Sequence, residues 1–370
     1  MSPRRASGDA AGVAVRRTAL DALVRIDEEG AYANLVLDPV LAASGLDDRD
    51  RRFVTELVYG TTRMRRACEH LVARHRRGGV TPRVASALRL GAYQLAFADV
   101  AQHAAVSATV GAAPKPARGL VNAVLRRVAD DVDAGIDWPD DATRLSYPDW
   151  IVGALARRLG TDAAAAALEA MNRPATTHVR ADGYVQDLAS QQVVDAVGAR
   201  PGDRVLDCCA APGGKATGLA AAGAHVVAGD ASAGRARLVV ANAERLGHPL
   251  AVVVADATAS PYRAGSFDRV LVDAPCSGLG VLRRRADARW RIDEAAPERL
   301  AALQVRILED VAPLVAPGGC LVYSVCTLTE EENGGVVRRA SLPGLDLVEE
   351  TTVVPDADHD GMYVARWARS

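Results

Sequence analysis

Apolar residues recur at intervals of three and four over the first third of the chain. Leu20, Leu23 and Val24 form one such stripe, and Val54, Leu57 and Val58 another. Leu88, Leu90, Ala92, Leu95 and Ala96 make a denser one, and Val121, Val124, Leu125 and Val128 close the series. This spacing puts each set on one face of a helix. Breakers fall between the stripes at Gly30, Pro39, Ser44-Gly45, Gly78-Gly79, Pro114 and Pro116. Residues 11–130 are therefore expected to form an all-α bundle, preceded by a disordered N-terminus over 1–10. Residues 131–183 read as a linker and a helix: aspartates at 130, 131, 133, 137, 140 and 141, then an alanine-rich helix near 150–171. From 184 to 370 the pattern changes to short apolar runs alternating with helical stripes. Strands are expected at 204–207, 225–229, 250–255, 268–273 and 320–325, with helices at about 214–222, 232–246 and 297–315. Such alternation predicts a doubly wound parallel sheet, class α/β. Two further runs, Asp346–Val348 and Met362–Ala365, suggest antiparallel edge strands.

Charge divides the chain the same way. Arg and Lys total 44 against 46 Asp and Glu, yet residues 1–130 hold 20 basic and 13 acidic side chains. A basic block of helices points to a polyanion, and Arg63, Arg65, Arg66, Arg76 and Arg77 are the candidates for tracking phosphates. The six cysteines show neither zinc spacing nor a CxxC pair, so no metal is expected. No signal peptide or membrane-spanning run is apparent, and scattered thiols predict a reducing cytoplasmic setting.

The chemistry concentrates where apolar runs end. Val205–Asp207 runs into Cys209-Ala210-Ala211-Pro212-Gly213-Gly214-Lys215. This turn lacks the first glycine and the Ser/Thr of a phosphate loop, and it fails the dinucleotide pattern. A strand, a small-residue turn and a helix start remain. The next strand ends at Asp230, placed to hold ribose hydroxyls, and the third at Asp256, within reach of an adenine. Acid at the ribose and no phosphate grip favour S-adenosylmethionine, although aspartates at such positions also cap helices. Lysine occurs only at 115 and 215 against 42 arginines, which singles out Lys215. Two more runs end at Asp273-Ala-Pro-Cys276 and at Tyr323-Ser-Val-Cys326. Two thiols and a carboxylate at strand ends suit methyl transfer to an electron-poor carbon such as cytosine C5, where a thiolate first adds to C6. Cys68, Cys208 and Cys320 read as buried and inert.

Taken in order, these motifs resemble the bacterial Sun/Fmu (RsmB-like) family of 16S ribosomal RNA cytosine-C5 methyltransferases. The cofactor loop Cys209–Lys215, Asp273–Arg285 with Asp287-Ala-Arg-Trp290, and Tyr323–Thr327 followed by Glu331-Glu332-Asn333 are each similar to a family motif. So are Asp360–Ala365 and, in the helical part, Phe53–Gly60, Leu88–Leu95, His103–Val106 and Gly119–Arg127. The resemblance implies an all-α NusB-like RNA-binding domain followed by a Rossmann-like class I methyltransferase sheet. It implies Cys326 as nucleophile, Cys276 as the group assisting product release, Asp273 on the cytosine N3/N4 edge, and Lys215 between cofactor and base. Cys209, Ala210, Ala211, Pro212, Gly213, Gly214, Lys215, Asp230, Arg235, Asp256 and Asp273 would line the cofactor site. One departure is the junction between His178-Val-Arg180 and Tyr184-Val-Gln-Asp187, where the family carries a longer RNA-contacting stretch. RNA must then be gripped elsewhere, and the helical block and Arg283-Arg284-Arg285 are the candidates.

The expectation is an RNA cytosine-C5 methyltransferase acting on 16S rRNA, monomeric, with neither membrane nor metal. Two rivals stay open: a transfer-RNA methyltransferase, and an RNA-binding factor whose methyltransferase half is inactive.

Overall fold

The computed structural model describes residues 3–370, with side chains from residue 11 onward. Of the segment 1–10 expected to lack order, Met1 and Ser2 lie outside the described residues. The chain divides into two compact units, 3–149 with 285–291, and 150–284 with 292–370.

The first unit is all-helical: α1 (Pro3–Glu28), α2 (Ala33–Ala43), α3 (Asp48–Arg63), α4 (Arg65–Ala73), α5 (Pro82–Ala96), α6 (Gln102–Ala112), α7 (Arg118–Ala134) and α8 (Asp141–Leu145). The four predicted stripes meet in one core, in which Leu20, Leu23, Leu57, Leu88, Leu90 and Leu125 are fully enclosed. Helix α5 sits deepest. A Cβ on Gly60 of α3 would fall 2.0 Å from the Tyr93 ring of α5, so only glycine admits this approach.

The acidic stretch expected as a linker is instead built into this unit. Helix α7 runs on to Ala134 and stops at Gly135 (φ 90°). Asp131 binds His75 at 2.7 Å, Asp133 accepts from Gln102 at 2.6 Å, and Asp140 caps α8 by accepting from Thr143 N at 2.6 Å. Short aspartate side chains reach backbone donors in this way, so a run of them also marks helix ends. Segment 285–291 joins the unit too. Arg289 is wholly enclosed, its guanidinium 3.9 Å from the Tyr147 ring centroid and its Nη1 donating to the carbonyls of Arg63 and Ser146. Trp290 Nε1 donates to Thr62 O at 2.7 Å.

The second unit holds a seven-stranded sheet: β1 (Arg204–Asp207), β2 (His225–Asp230), β3 (Ala251–Val254), β4 (Phe267–Asp273), β5 (Val315–Val325), β6 (Leu345–Val353) and β7 (Met362–Arg369). The order is β3-β2-β1-β4-β5-β7-β6. Strands β1 to β5 run parallel, and β7 enters antiparallel between β5 and β6. This is a Rossmann-like doubly wound sheet. Its order reverses between β1 and β4, and a crevice opens there at the carboxyl ends of the strands. Val205, Leu206, Val270, Leu271, Leu321 and Val322 are fully buried, as continuous apolar runs between two helical layers must be.

Three predicted elements shifted. The alanine-rich helix is two, α9 (Asp149–Leu159) and α10 (Thr161–Ala170), broken at Gly160 (φ 84°). Helix α11 (Leu188–Val197) was not foreseen, and α12 (Gly214–Ala221) and α13 (Ala233–Leu246) lie as expected. The helix expected over 297–315 is α14 (Ala296–Val311), because Pro313 cannot continue it; β5 begins at Val315. A last short helix, α15 (Gly334–Arg339), follows the second cysteine loop. The shortened junction is a tight turn closed by one bridge between Val179 and Val185. No described helix is long and apolar enough to cross a membrane.

Candidate active site

The carboxyl ends of β1, β2, β4 and β5 carry the site. After β1 the chain turns through Cys209–Gly213 and starts α12 at Gly214. Gly213 sits at φ 106°, where a side chain would be strained and would press on Val239. The turn is held from several sides. Ala210 N donates to Gly229 O at 2.8 Å, Arg235 Nη2 to Ala211 O at 3.1 Å, and Asn242 Nδ2 to Pro212 O at 2.9 Å. Arg180, from the shortened junction, donates to Gly214 O and to Thr217 Oγ1. Asn242 and Arg180 carried no sequence signal, since each acts through a backbone carbonyl distant in the chain.

Asp230 is almost wholly buried. Its Oδ1 accepts from Ser232 N at 2.9 Å, and Arg235 Nε lies 3.3 Å from Oδ2. Asp256 is exposed at the end of β3, with Oδ1 bound to Thr258 N and Oγ1. Those bonds hold its carboxyl below the usual range. Among the described residues it bonds to no other member of the site.

Lys215 Nζ meets Asp273 Oδ2 at 2.7 Å, and Ser324 Oγ donates to Asp273 Oδ1 at 2.8 Å. Burial lowers the lysine's pKa, but the charge and hydrogen bond of Asp273, with the charges of Cys326 and Asp207, raise it overall. The ammonium is thus kept charged beside the second thiol. Cys276 Sγ and Cys326 Sγ lie 3.3 Å apart. The Cys276 thiol is pushed well above its ordinary value by the hydrogen bond to Cys326, then by burial and the charges of Cys326, Glu332 and Asp273. Lys215 thus stands beside Cys326, while the charges that act on Cys276 are anionic. Cys68, Cys208 and Cys320 are buried elsewhere, in keeping with an inert role.

One group was missed in the sequence. Asp207 ends β1 wholly buried, and among the described residues no side-chain donor reaches its carboxylate oxygens. Burial first, then the charge of Asp273, pushes its pKa up to about 7. Asp230 and Asp273 bring acidic groups to the crevice, which opposes a polyphosphate and fits a sulfonium carrying an ammonium and a ribose diol. The residues present thus fit S-adenosylmethionine.

A stability prediction follows for the ligand-free protein. With a folded-state value above the ordinary ~3.9, Asp207 binds its proton more tightly folded than unfolded, so stability falls as pH rises from about 4 to about 7. Asp207→Asn should remove that fall. At pH 8 the variant should be more stable than wild type by up to about 4 kcal/mol, with the gap closing near pH 4. Urea unfolding at both pH values checks this; equal midpoints at pH 8 would refute it.

The arginine candidates fare unevenly. Arg63 is buried, and Arg66 is committed to Thr143, Tyr147 O and Asp149. Arg283 is buried in a network with Asp360, Asp187 and the Asp356 carbonyl, and Arg284 pairs with Asp187 and Asp360. Arg63 and Arg283 must fill their donors internally because they are buried, and Arg66 and Arg284, though partly exposed, are engaged in the pairs named above. Arg65 lies 3.8 Å from Asp27 and Arg76 3.6 Å from Glu69, whereas Arg77 and Arg285 are exposed, as are Arg126 and Arg127 of α7. No group of three or more metal-ligating side chains is assembled among the described residues.

Comparison with known proteins gives a consistent picture. The family described as 16S rRNA methyltransferase RsmB/F matches residues 194–348, and the NusB family matches 13–130. The Ribosomal RNA small subunit methyltransferase B of Thermus thermophilus is 38% identical, over 87% of this chain and 86% of that protein. The Probable ribosomal RNA small subunit methyltransferase B of Bacillus subtilis is 32% identical, over 87% of each. The solved structure of PH0851 superposes with a TM-score of 0.75 over 96% of this chain and 98% of that one. At 19% identity this is a likeness of fold.

Proposed function

The chain belongs to the RsmB/F family of S-adenosylmethionine-dependent methyltransferases, and from that premise we propose that it methylates C5 of a cytosine in 16S ribosomal RNA through a covalent cysteine adduct. The observation that carries the reading is the thiol pair at 3.3 Å beside the Lys215–Asp273 ion pair. Bound S-adenosylmethionine supplies the methyl group as an activated sulfonium. Asp230 holds its ribose hydroxyls, and the turn Cys209–Gly214 presents backbone N–H groups to its carboxylate. Arg235 steadies Asp230 and the turn, and Asp256 lies toward the adenine.

Asp273 keeps free lone pairs for the amino edge of cytosine while Lys215 and Ser324 fix its orientation. Cys326 adds to C6 as a thiolate, favoured by the neighbouring ammonium. That addition makes C5 nucleophilic. After methylation water takes the C5 proton, the electron pair of that C–H bond forms the C5–C6 double bond, the C6–S bond breaks and the Cys326 thiolate is restored. Cys276 assists this release as the neighbouring thiol, whose S–H, 3.3 Å from Cys326 Sγ, donates a hydrogen bond to the departing thiolate. The helical unit contributes RNA binding through its exposed arginines, in the cytoplasm.

Bisulfite sequencing of ribosomal and transfer RNA from a deletion strain tests the reading. Loss of one 16S cytosine methylation is expected. Loss confined to transfer RNA would transfer the assignment to that substrate, and no loss anywhere would support the RNA-binding rival. Cofactor binding is checked separately. Asp230→Ala should weaken S-adenosylmethionine at least about tenfold, since a charge-assisted hydrogen bond is worth ~1.5–3 kcal/mol. Unchanged affinity by calorimetry in the folded variant would mean that Asp230 does not hold the ribose.

A further inference from the structure

Each of the two thiols is followed by a hydroxyl residue, Ser277 after Cys276 and Thr327 after Cys326. Those hydroxyls lie 2.8 Å apart, wholly buried beneath the thiols. Both converge on Glu332, which is itself fully buried. Its Oε1 accepts from Ser277 N at 2.8 Å and from Gln304 Nε2 at 3.1 Å. Its Oε2 accepts from Ser277 Oγ, from Thr329 Oγ1 at 3.0 Å and from Thr327 Oγ1 at 3.3 Å. Gln304 also donates to Pro275 O at 2.8 Å, and the one proton of Tyr323 OH is shared between Gln304 Oε1 at 2.9 Å and Glu332 O at 2.7 Å. Every acceptor site of the carboxylate is thus filled by donors from the two cysteine loops or from residues bracing them.

A buried carboxylate carries a large desolvation cost unless it is hydrogen-bonded this completely. Fold stability alone offers little reason to bury one, because an apolar cluster of similar volume serves as well. What only an acid supplies is a two-oxygen acceptor that binds both loops at once.

We propose that Glu332 is a positioning residue that locks the Cys276 and Cys326 loops together and sets the distance between their thiols. The proposal rests on the reading that these thiols carry the reaction. Glu332 touches neither sulfur. It acts through Ser277 and Thr327, the residues next to them. Glutamine is the informative replacement, because it keeps the shape but replaces one acceptor oxygen by an NH2, which is satisfied only if the Ser277, Thr327 and Thr329 hydroxyls reverse from donating to accepting.

The thiol geometry is read without RNA by dibromobimane, which fluoresces strongly once both its arms have alkylated thiols, each displacing bromide. Cys276→Ala and Cys326→Ala supply the background. Glu332→Gln should bridge the pair at least about tenfold more slowly than wild type. Its kcat should fall between about tenfold and 10²-fold, the range expected from misplacing reacting groups by about 1 Å, with KM for RNA and S-adenosylmethionine unchanged. Glu332→Asp should recover part of both. If Glu332→Gln fails to fold, the double variant Ser277→Ala with Thr327→Val removes the two clasping hydroxyls and should slow bridging likewise. Bridging at the wild-type rate in the folded variant would overturn the proposal. Slow bridging in a protein that never forms an RNA adduct would instead sink the cytosine chemistry and leave the clamp standing.

Discussion

Cys326→Ala is expected to lose methyl transfer by at least about 10³-fold and to form no covalent complex with RNA, whereas Cys276→Ala is expected to trap one. Addition and release use different groups, so removing the second leaves the first intact. Three features of the site favour this polarity. Lys215 carries its charge toward Cys326. Cys276 is held protonated by its hydrogen bond to Cys326, by burial and by the charges of Cys326, Glu332 and Asp273. The sulfurs are close enough, at 3.3 Å, for one to serve the adduct formed by the other. In Cys276→Ala the adduct should appear as a shifted band on a denaturing gel with substrate RNA. The reverse pattern, with the band in Cys326→Ala and none in Cys276→Ala, would exchange the two roles while leaving fold and cofactor site in place.

Lys215→Met should cost both stability and catalysis. The lysine is the cation between Asp207, Asp273 and Cys326. Breaking a fully buried ion pair costs ~3–5 kcal/mol, and because Asp273 is 31% exposed the expected loss here is roughly 2–3 kcal/mol. The loss should shrink as pH falls below about 7, where Asp207 takes up its proton and its repulsion with Asp273 disappears. Covalent adduct formation should slow as well, since the Cys326 thiolate loses its counter-charge. Urea unfolding at pH 6 and pH 8 decides the first point. An unfolding midpoint equal to wild type at pH 8 would mean that the pair is solvated and electrostatically idle.

Much of the sheet was legible because a strand buried on both faces writes itself as a continuous apolar run. Val205–Asp207, Val226–Asp230 and Val270–Asp273 fall where the pattern placed them, and the last two end on aspartates picked out as candidates. The four helical stripes were legible for the same local reason. Less visible were residues whose meaning depends on distant partners. The aspartates at 131, 133 and 140 read as a linker because composition does not show which donors they meet. Arg283 read as part of a basic run and Arg289 as part of a family motif, yet the first is locked to Asp360 and the second stacks on Tyr147 inside the helical unit.

By itself, the sequence determined the order of elements, the break between a helical and an α/β half, and the short list of chemically capable side chains. Periodicity, turn residues and residue type are local properties, so one chain suffices to read them. The tertiary structure decided which members of that list meet. Cys276 and Cys326 are 50 residues apart in sequence and become a pair only because β4 and β5 are neighbours in the sheet. Asp207 became a buried acid with a raised pKa only once β1 was enclosed. Glu332, 55 residues beyond Ser277, became the acceptor for both thiol loops. Burial and long-range proximity set the charge state and geometry of each group, and both arise only when the chain closes on itself.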